Sequence, residues 1–182
     1  MLSFCWEGDR VELRAAGRAA ALWEHDPAHP AMTVGMGTAD VAMKNGNFRM
    51  TDQPQRHVVL TAARPGPEGT VDLAADPGGA PLARLGLDGH RLTIRALDET
   101  LNRWTMALPA DPDDQIWGCG EQMSYLALRG RAFPLWTSEP GVGRDKDREI
   151  TRIMDDFAMA GGDYWTSNYP QPTFLSSAGY AV

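Results

Sequence analysis

Val41-Ala42-Met43-Lys44-Asn45-Gly46-Asn47-Phe48-Arg49-Met50 carries the reading that decides the fold class. Asn-Gly readily places two consecutive residues at positive φ, the requirement of a two-residue hairpin turn. The apolar residues flanking it predict antiparallel strands, with Val41–Met43 joined to Phe48–Met50. A second signal of the same kind, Asp88-Gly89, joins Leu82–Leu87 to Leu92–Leu97. Outward from these turns the chain keeps the period of two expected of half-buried strands. Val11, Leu13 and Ala15 alternate with Glu12 and Arg14, and the pattern recurs at Val58-Leu60-Ala62, Leu92-Ile94-Ala96 and Trp104-Met106-Leu108. Pro/Gly turns fall at Arg64–Gly69 and Asp76–Pro81. The prediction is a mainly β chain, an antiparallel sandwich.

The absence of any βαβ alternation disposes of two glycine pairs. Gly35-Met36-Gly37 and Gly118-Cys119-Gly120 resemble the start of a dinucleotide fingerprint, but neither has the third glycine or opens a helix after a strand. Both read as glycines at strand ends or bulges. One short helix is expected near the C-terminus, over about Asp147–Ala160, from Ile150, Ile153, Met154, Phe157 and Ala158 at helical spacing. Gly161-Gly162 would end it, and Asp155-Asp156 reads as its solvated face. Tyr164-Trp165 and Pro170–Ser176 return to extended chain, and Tyr180-Ala181-Val182 reads as the start of a strand.

Composition narrows the function. An apolar fraction of 43% in 182 residues supports a sizeable core, and a net charge of −7 opposes nucleic-acid binding. Arg144, Lys146 and Arg148 cluster, but Asp145, Asp147 and Glu149 interleave with them. No apolar run is long enough to span a bilayer, and Glu7 and Asp9 interrupt any signal peptide, so a cytoplasmic chain is expected. Cys5 and Cys119 then read as reduced, buried thiols, Cys119 having only Glu121 as a charged neighbour. Pro27 and Pro30 exclude a metal-binding helix at His25 and His29, which read as solvated loop histidines. Nothing implies a metal or a cofactor.

Chemistry concentrates in Ile116–Gly143, where aromatics bracket a run dense in Gly, Glu, Arg and Pro. Such a run suits a loop that leaves a packed scaffold, presents polar groups to a ligand, and returns. Ser138-Glu139 has no nearby histidine, and Glu121, Glu139, Asp155, Asp156 and Asp163 do not by spacing alone make an acid/base pair. Glu121 and Glu139 are the stronger candidates, since each lies among glycines and aromatics. Glu121 reads first as a brace accepting backbone N–H groups. For Glu139 the alternative to a ligand contact is an ion pair with Arg144 or Arg131.

Four segments carry a resemblance: GMGTADVAMKNGNF (Gly35–Phe48), GCGEQMSY (Gly118–Tyr125), RGRAFPLWTSEPGVGR (Arg129–Arg144) and AGGDYWTSNYPQPTF (Ala160–Phe174). Together they resemble the N-terminal domain of glycoside hydrolase family 31, in its sulfoquinovosidase branch. The resemblance implies a β-sandwich of the galactose-mutarotase type over residues 1–182, with 116–176 forming an active-site-rim loop, the short helix and return strands. It implies retaining hydrolysis of α-glycosides, sulfoquinovosides among them, by two aspartates on a (β/α)8 barrel. That barrel is missing from this chain, which therefore looks truncated; it would be supplied in cis or as a separate chain. By the same resemblance Glu139, Glu121, Gln122, Trp136 and Arg144 line the substrate rim, with no catalytic residue among them. The competing expectation is a stand-alone carbohydrate-binding or mutarotase-like module, for which His57 and His90 lack an evident partner acid.

Overall fold

The structure is a computed structural model that describes all residues except 123, 124, 133, 136, 138–144, 146 and 160–166, and the backbone alone of Gln122. The described residues form β1 (Leu2–Glu7), β2 (Arg10–Ala15), β3 (Trp23–His25), β4 (Met32–Lys44), β5 (Asn47–Val59), β6 (Ala62–Pro65) and β7 (Val71–Ala74). They continue with β8 (Pro81–Asp88), β9 (Arg91–Ala96), β10 (Arg103–Met106), β11 (Ile116–Gln122), the helix α1 (Glu149–Ala158), β12 (Ser167–Ser176) and β13 (Tyr180–Ala181). The strands make four sheets, ordered β1-β2-β3, β10-β4-β5, β6-β7-β8-β9 and β11-β12-β13. Among the described residues the fold is mainly β and antiparallel, as the alternation and turn chemistry predict, with one α-helix.

Both hairpins form. Asn45 and Gly46 have φ of 52° and 80°, the paired left-handed conformation their identities permit. In the second hairpin Asp88 pairs with Arg91, so the turn residues are Gly89 and His90, one position later than expected. Gly89 takes the positive φ, 61°, and His90 does not, which is the sign pattern of a type II′ turn.

The chain divides into two compact units, Met1–Thr38 with Asp52–Ala110, and Ala39–Thr51 with Asp111–Val182. The first has a sheet-on-sheet core. Val11, Leu13 and Trp23 from the β1-β2-β3 sheet join Val71, Leu73, Ala83 and Leu85 from the β6–β9 sheet, with Met32, Val34, Leu60 and Leu101 closing the cluster. Nearly buried Asp72 on β7 faces Arg84 across the strand pair, accepting from Nε at 2.6 Å and Nη2 at 2.9 Å. That fork geometry lets a carboxylate leave water without being left unpaired.

Several expectations are corrected. His25 is fully buried in β3 rather than in a solvated loop, its ring stacked on Trp23 at 5.5 Å. Its Nδ1 accepts the Ala31 N–H at 3.2 Å, and burial holds its pKa below the ordinary value. His29 is exposed as expected, against Asp26. Cys5 is exposed, because β1 lies at a sheet edge, while Cys119 is buried. Gly35 and Gly37 lie inside β4 rather than at its end. A Cβ there would meet Arg56 O at 2.6 Å and Gln53 O at 2.7 Å, so close backbone approach explains both. The run Val58-Leu60-Ala62 is two strands, with buried Leu60 at the break.

The helix is shorter than expected and faces the other way. It ends where Met159 turns left-handed at φ 56° and donates to Asp155 O at 2.9 Å; Gly161-Gly162 lies outside the described residues. Thr151 and Ala158 are buried, whereas Ile150, Ile153 and Phe157 are exposed by 47%, 52% and 73%. Asp155, read as solvated, is ion-paired with Arg49 at 3.0 Å. Asp156 is exposed.

Candidate functional site

The site region is built on the β11/β12 pair of the second unit. Gly118 pairs with Phe174 and Gly120 with Pro170, so Cys119 alone opposes Gln171, Pro172 and Thr173. This bulge explains how two prolines fit in a strand: Pro172 falls where no ladder bond is made, and Pro170 at its margin. It also explains the glycines. Gly118, Cys119 and Gly120 have consecutive positive φ of 125°, 68° and 80°. A Cβ on Gly118 would meet Thr173 O at 2.2 Å, and one on Gly120 would meet Tyr169 O at 2.0 Å. Of the two glycine readings offered by the sequence, the bulge holds here.

Because β11 carries no side chain at Gly118 or Gly120, the pair encloses a shallow open trough. Tyr169, Gln171, Thr173 and Leu175 stand along it at alternate positions of β12, and Glu121 stands at its β11 end. Glu121 pairs in register with Tyr169, which is 67% exposed. The trough thus offers one carboxylate, an amide and a hydroxyl beside an aromatic face, a set able to bind a polyol by hydrogen bonds and ring stacking. No described residue donates to the Glu121 carboxylate. The Cys119 thiol is buried beneath the strand pair, and burial raises its pKa, so it is a poor nucleophile.

The segment following β11 is fastened by backbone carbonyls. Arg129 donates to Asp111 O and to Asp114 O, the latter at 3.2 Å. Arg131 donates to Ala127 O at 3.2 Å and lies 3.7 Å over the Tyr125 ring. Thr137 then makes a parallel bridge with Ser167, the register partner of Gln122, and Ser167 Oγ donates to Glu121 O at 3.2 Å. The chain two residues before Glu139 is thereby anchored at the Glu121 end of the strand pair.

Of the rim residues taken from the resemblance, Glu121 is described and exposed, and Gln122 is described in backbone only. Trp136, Glu139 and Arg144 lie outside the described residues, as does Asp163. Tyr169 and Gln171 were missed as candidates, although the alternation of N-Y-P-Q-P-T-F was available to show them on one face. Among the described residues, no group of three or more His, Cys, Asp or Glu could hold a metal ion, and no helix is long and apolar enough to cross a membrane.

No family model matches the chain. A sulfoquinovosidase of Agrobacterium fabrum strain C58 is 49% identical to it over 158 residues, 87% of this chain and 24% of that protein. A sulfoquinovosidase of Escherichia coli strain K12 is 41% identical over 173 residues, 86% of this chain and 24% of that protein. A glycoside hydrolase family 31 sulfoquinovosidase from E. rectale, solved with an aza-sugar inhibitor, superposes with a TM-score of 0.77 at 37% identity, covering 98% of this chain and 27% of that one. The chain spans about a quarter of the length of these relatives. By sequence and by fold, the chain is similar to the N-terminal portion of glycoside hydrolase family 31 sulfoquinovosidases.

Proposed function

We propose that the chain acts as the N-terminal, non-catalytic domain of a retaining α-glycosidase that hydrolyses α-sulfoquinovosides. The supporting observation is a 49% identical relative of that activity matching 87% of the chain but only 24% of itself. In this reading residues 1–182 form one scaffold domain, and a (β/α)8 barrel in the same polypeptide, or on a separate chain, carries the reacting carboxylates. Retention needs two carboxyl groups about 5–5.5 Å apart across the scissile bond, one as nucleophile and one as acid/base. The contribution of this chain is then binding and orientation at the rim. Glu139, Glu121, Gln122, Trp136 and Arg144 are the proposed rim residues, with Tyr169 and Gln171 added from the trough. A cytoplasmic location suits the exposed thiol of Cys5, which needs a reducing compartment to stay free.

The test is steady-state kinetics of the intact polypeptide on a chromogenic α-sulfoquinovoside. Glu139→Ala should lower kcat/KM by about 1.5–3 kcal/mol, the range for a hydrogen bond to a charged group, with little change in Tm. Glu121→Gln should lower it less. An intact polypeptide without this activity, or rim variants that lose activity only in step with stability, would refute the assignment.

A further inference from the structure

The core of the first unit holds two hydrogen-bond donors that no described residue satisfies. Trp23 and His25 stand two apart on β3, opposite Leu13 and Val11 of β2, so both rings enter the core from one face of the sheet. Each side chain is fully buried. His25 Nδ1 accepts from the Ala31 N–H at 3.2 Å, which puts the proton of the neutral ring on Nε2. That Nε2 and the Nε1 of Trp23 have no acceptor among the described residues. Indole is a donor only, so the two nitrogens cannot satisfy each other.

The other buried polar side chains of the first unit are committed elsewhere. Glu12 is held by Arg10 and Arg14, and Asp72 takes the two-pronged bond from Arg84. A buried donor without an acceptor has lost its hydration with nothing in return, and native cores rarely keep even one such group. Here two lie on neighbouring rings, with centroids 5.5 Å apart and planes 26° from parallel, and they make one polar spot in an otherwise apolar cluster.

We propose that Trp23 Nε1 and His25 Nε2 bind an internal water molecule inside the first unit. The class of ligand follows from the donors. Both nitrogens carry hydrogen while Nδ1 accepts from Ala31, so neither can ligate a metal ion. An anion would need a cation beside it to leave bulk solvent, and no Arg or Lys of the first unit is buried. Water needs no counter-charge. With two bonds of about 2.9 Å at a near-tetrahedral angle, one water holds two N–H nitrogens about 4.7 Å apart. That span is close to the 5.5 Å separation of the rings. Its own hydrogens remain for backbone carbonyls, which completes the two to four partners usual for a buried water. Bound there, the water fixes the tautomer that leaves Nδ1 free for Ala31, and so ties β3 to the segment leading into β4. The site does not depend on the function assigned to the chain.

The experiment has two arms, both on the intact polypeptide. A crystal structure at a resolution that shows internal solvent should place one ordered water within hydrogen-bond distance of both nitrogens. In the second arm benzothienylalanine, which keeps the shape of tryptophan with sulfur in place of the N–H, replaces Trp23. The same replacement at Trp6, 37% exposed on β1, is the control. Loss of a donor that holds water should lower the Tm at position 23 and leave it unmoved at position 6. Loss of a donor that had no partner would raise it. A rise or no change at position 23, a water on one nitrogen alone, a dry void between the rings, or protein carbonyls accepting from both nitrogens would each overturn the proposal.

Discussion

The two compact units differ in where they keep their apolar side chains. Every residue of the main buried cluster lies in the first unit, from Val11 and Trp23 to Leu85 and Leu101. Among the described residues, the buried apolar side chains of the second unit are Cys119, Leu128 and Ala158. Its exposed ones include Val41, Met43, Met50, Leu126, Ile153, Phe157 and Leu175. Burial of apolar area is the dominant favourable contribution to folding, at about 25 cal/mol per Å². The first unit therefore holds most of what can stabilise the chain by itself, and the second leaves most of its large apolar side chains exposed. The two units are held in different ways, the first by a core and the second by positive-φ backbone and polar fasteners.

The largest effect should come from the first unit. Trp23→Ala removes a fully buried indole stacked on His25, and should cost about 3–5 kcal/mol in chemical denaturation. A loss below about 1 kcal/mol would break the contrast between the units. Arg84→Ala leaves the Asp72 carboxylate buried without its fork. Because Arg84 is partly exposed, water screens the pair, and the loss should be smaller than for Trp23→Ala in the same denaturation measurement.

Glycine substitutions compare two positive-φ sites within the second unit. Gly46 at the hairpin tip has open space around the missing Cβ, so Gly46→Ala should cost about 1–2 kcal/mol from conformation alone. Gly120→Ala adds a collision with Tyr169 O, and should cost on the order of 3 kcal/mol while opening the trough. Equal costs at the two sites, read from denaturation midpoints, would show that the β11/β12 pair yields easily.

A smaller effect is expected from pH. His25 has a folded pKa below its ordinary 6.5, chiefly through burial and opposed by neighbouring Asp26. The unfolded chain therefore takes up the proton first, and stability falls as pH drops below about 6.5. Protonation at Nδ1 would also abolish the acceptor used by Ala31 N–H. Melting of His25→Gln should show a shallower decline than the parent between about pH 7 and 5. An unchanged slope would place the titration elsewhere. Smallest of all, Phe157→Ala in the isolated chain should shift stability by no more than about 1 kcal/mol, the scale of an exposed contact with a Lys44 ammonium.

The β class was legible because strand period and turn chemistry are local. Asn45-Gly46 states its conformation in two residues, and Val11-Leu13 states its face. What was not legible depends on what lies opposite. The apolar stripe of α1 pointed to a buried face, but the pattern cannot tell burial within this chain from burial against another. His25 looked like a loop residue because Pro27 and Pro30 follow it, whereas the burial of Trp23 draws the short strand into the core. In the site, Glu121 was found from its glycine neighbours. Tyr169 and Gln171 were not, because only the pairing of β11 with the sequence-distant β12 sets Tyr169 opposite Glu121. Glu139 was found in the same way as Glu121, whereas Gln122, Trp136 and Arg144 owe their nomination to the family resemblance.

The most direct measurement is turnover of a chromogenic α-sulfoquinovoside by the purified 182-residue chain, beside the same assay on the chain joined to the remainder of its polypeptide. The expected result is no hydrolysis above background by the isolated chain and clear hydrolysis by the joined protein. Turnover by the isolated chain that survives repurification, and is lost on Glu121→Gln or Glu139→Gln, would contradict the assignment of this chain as a non-catalytic domain.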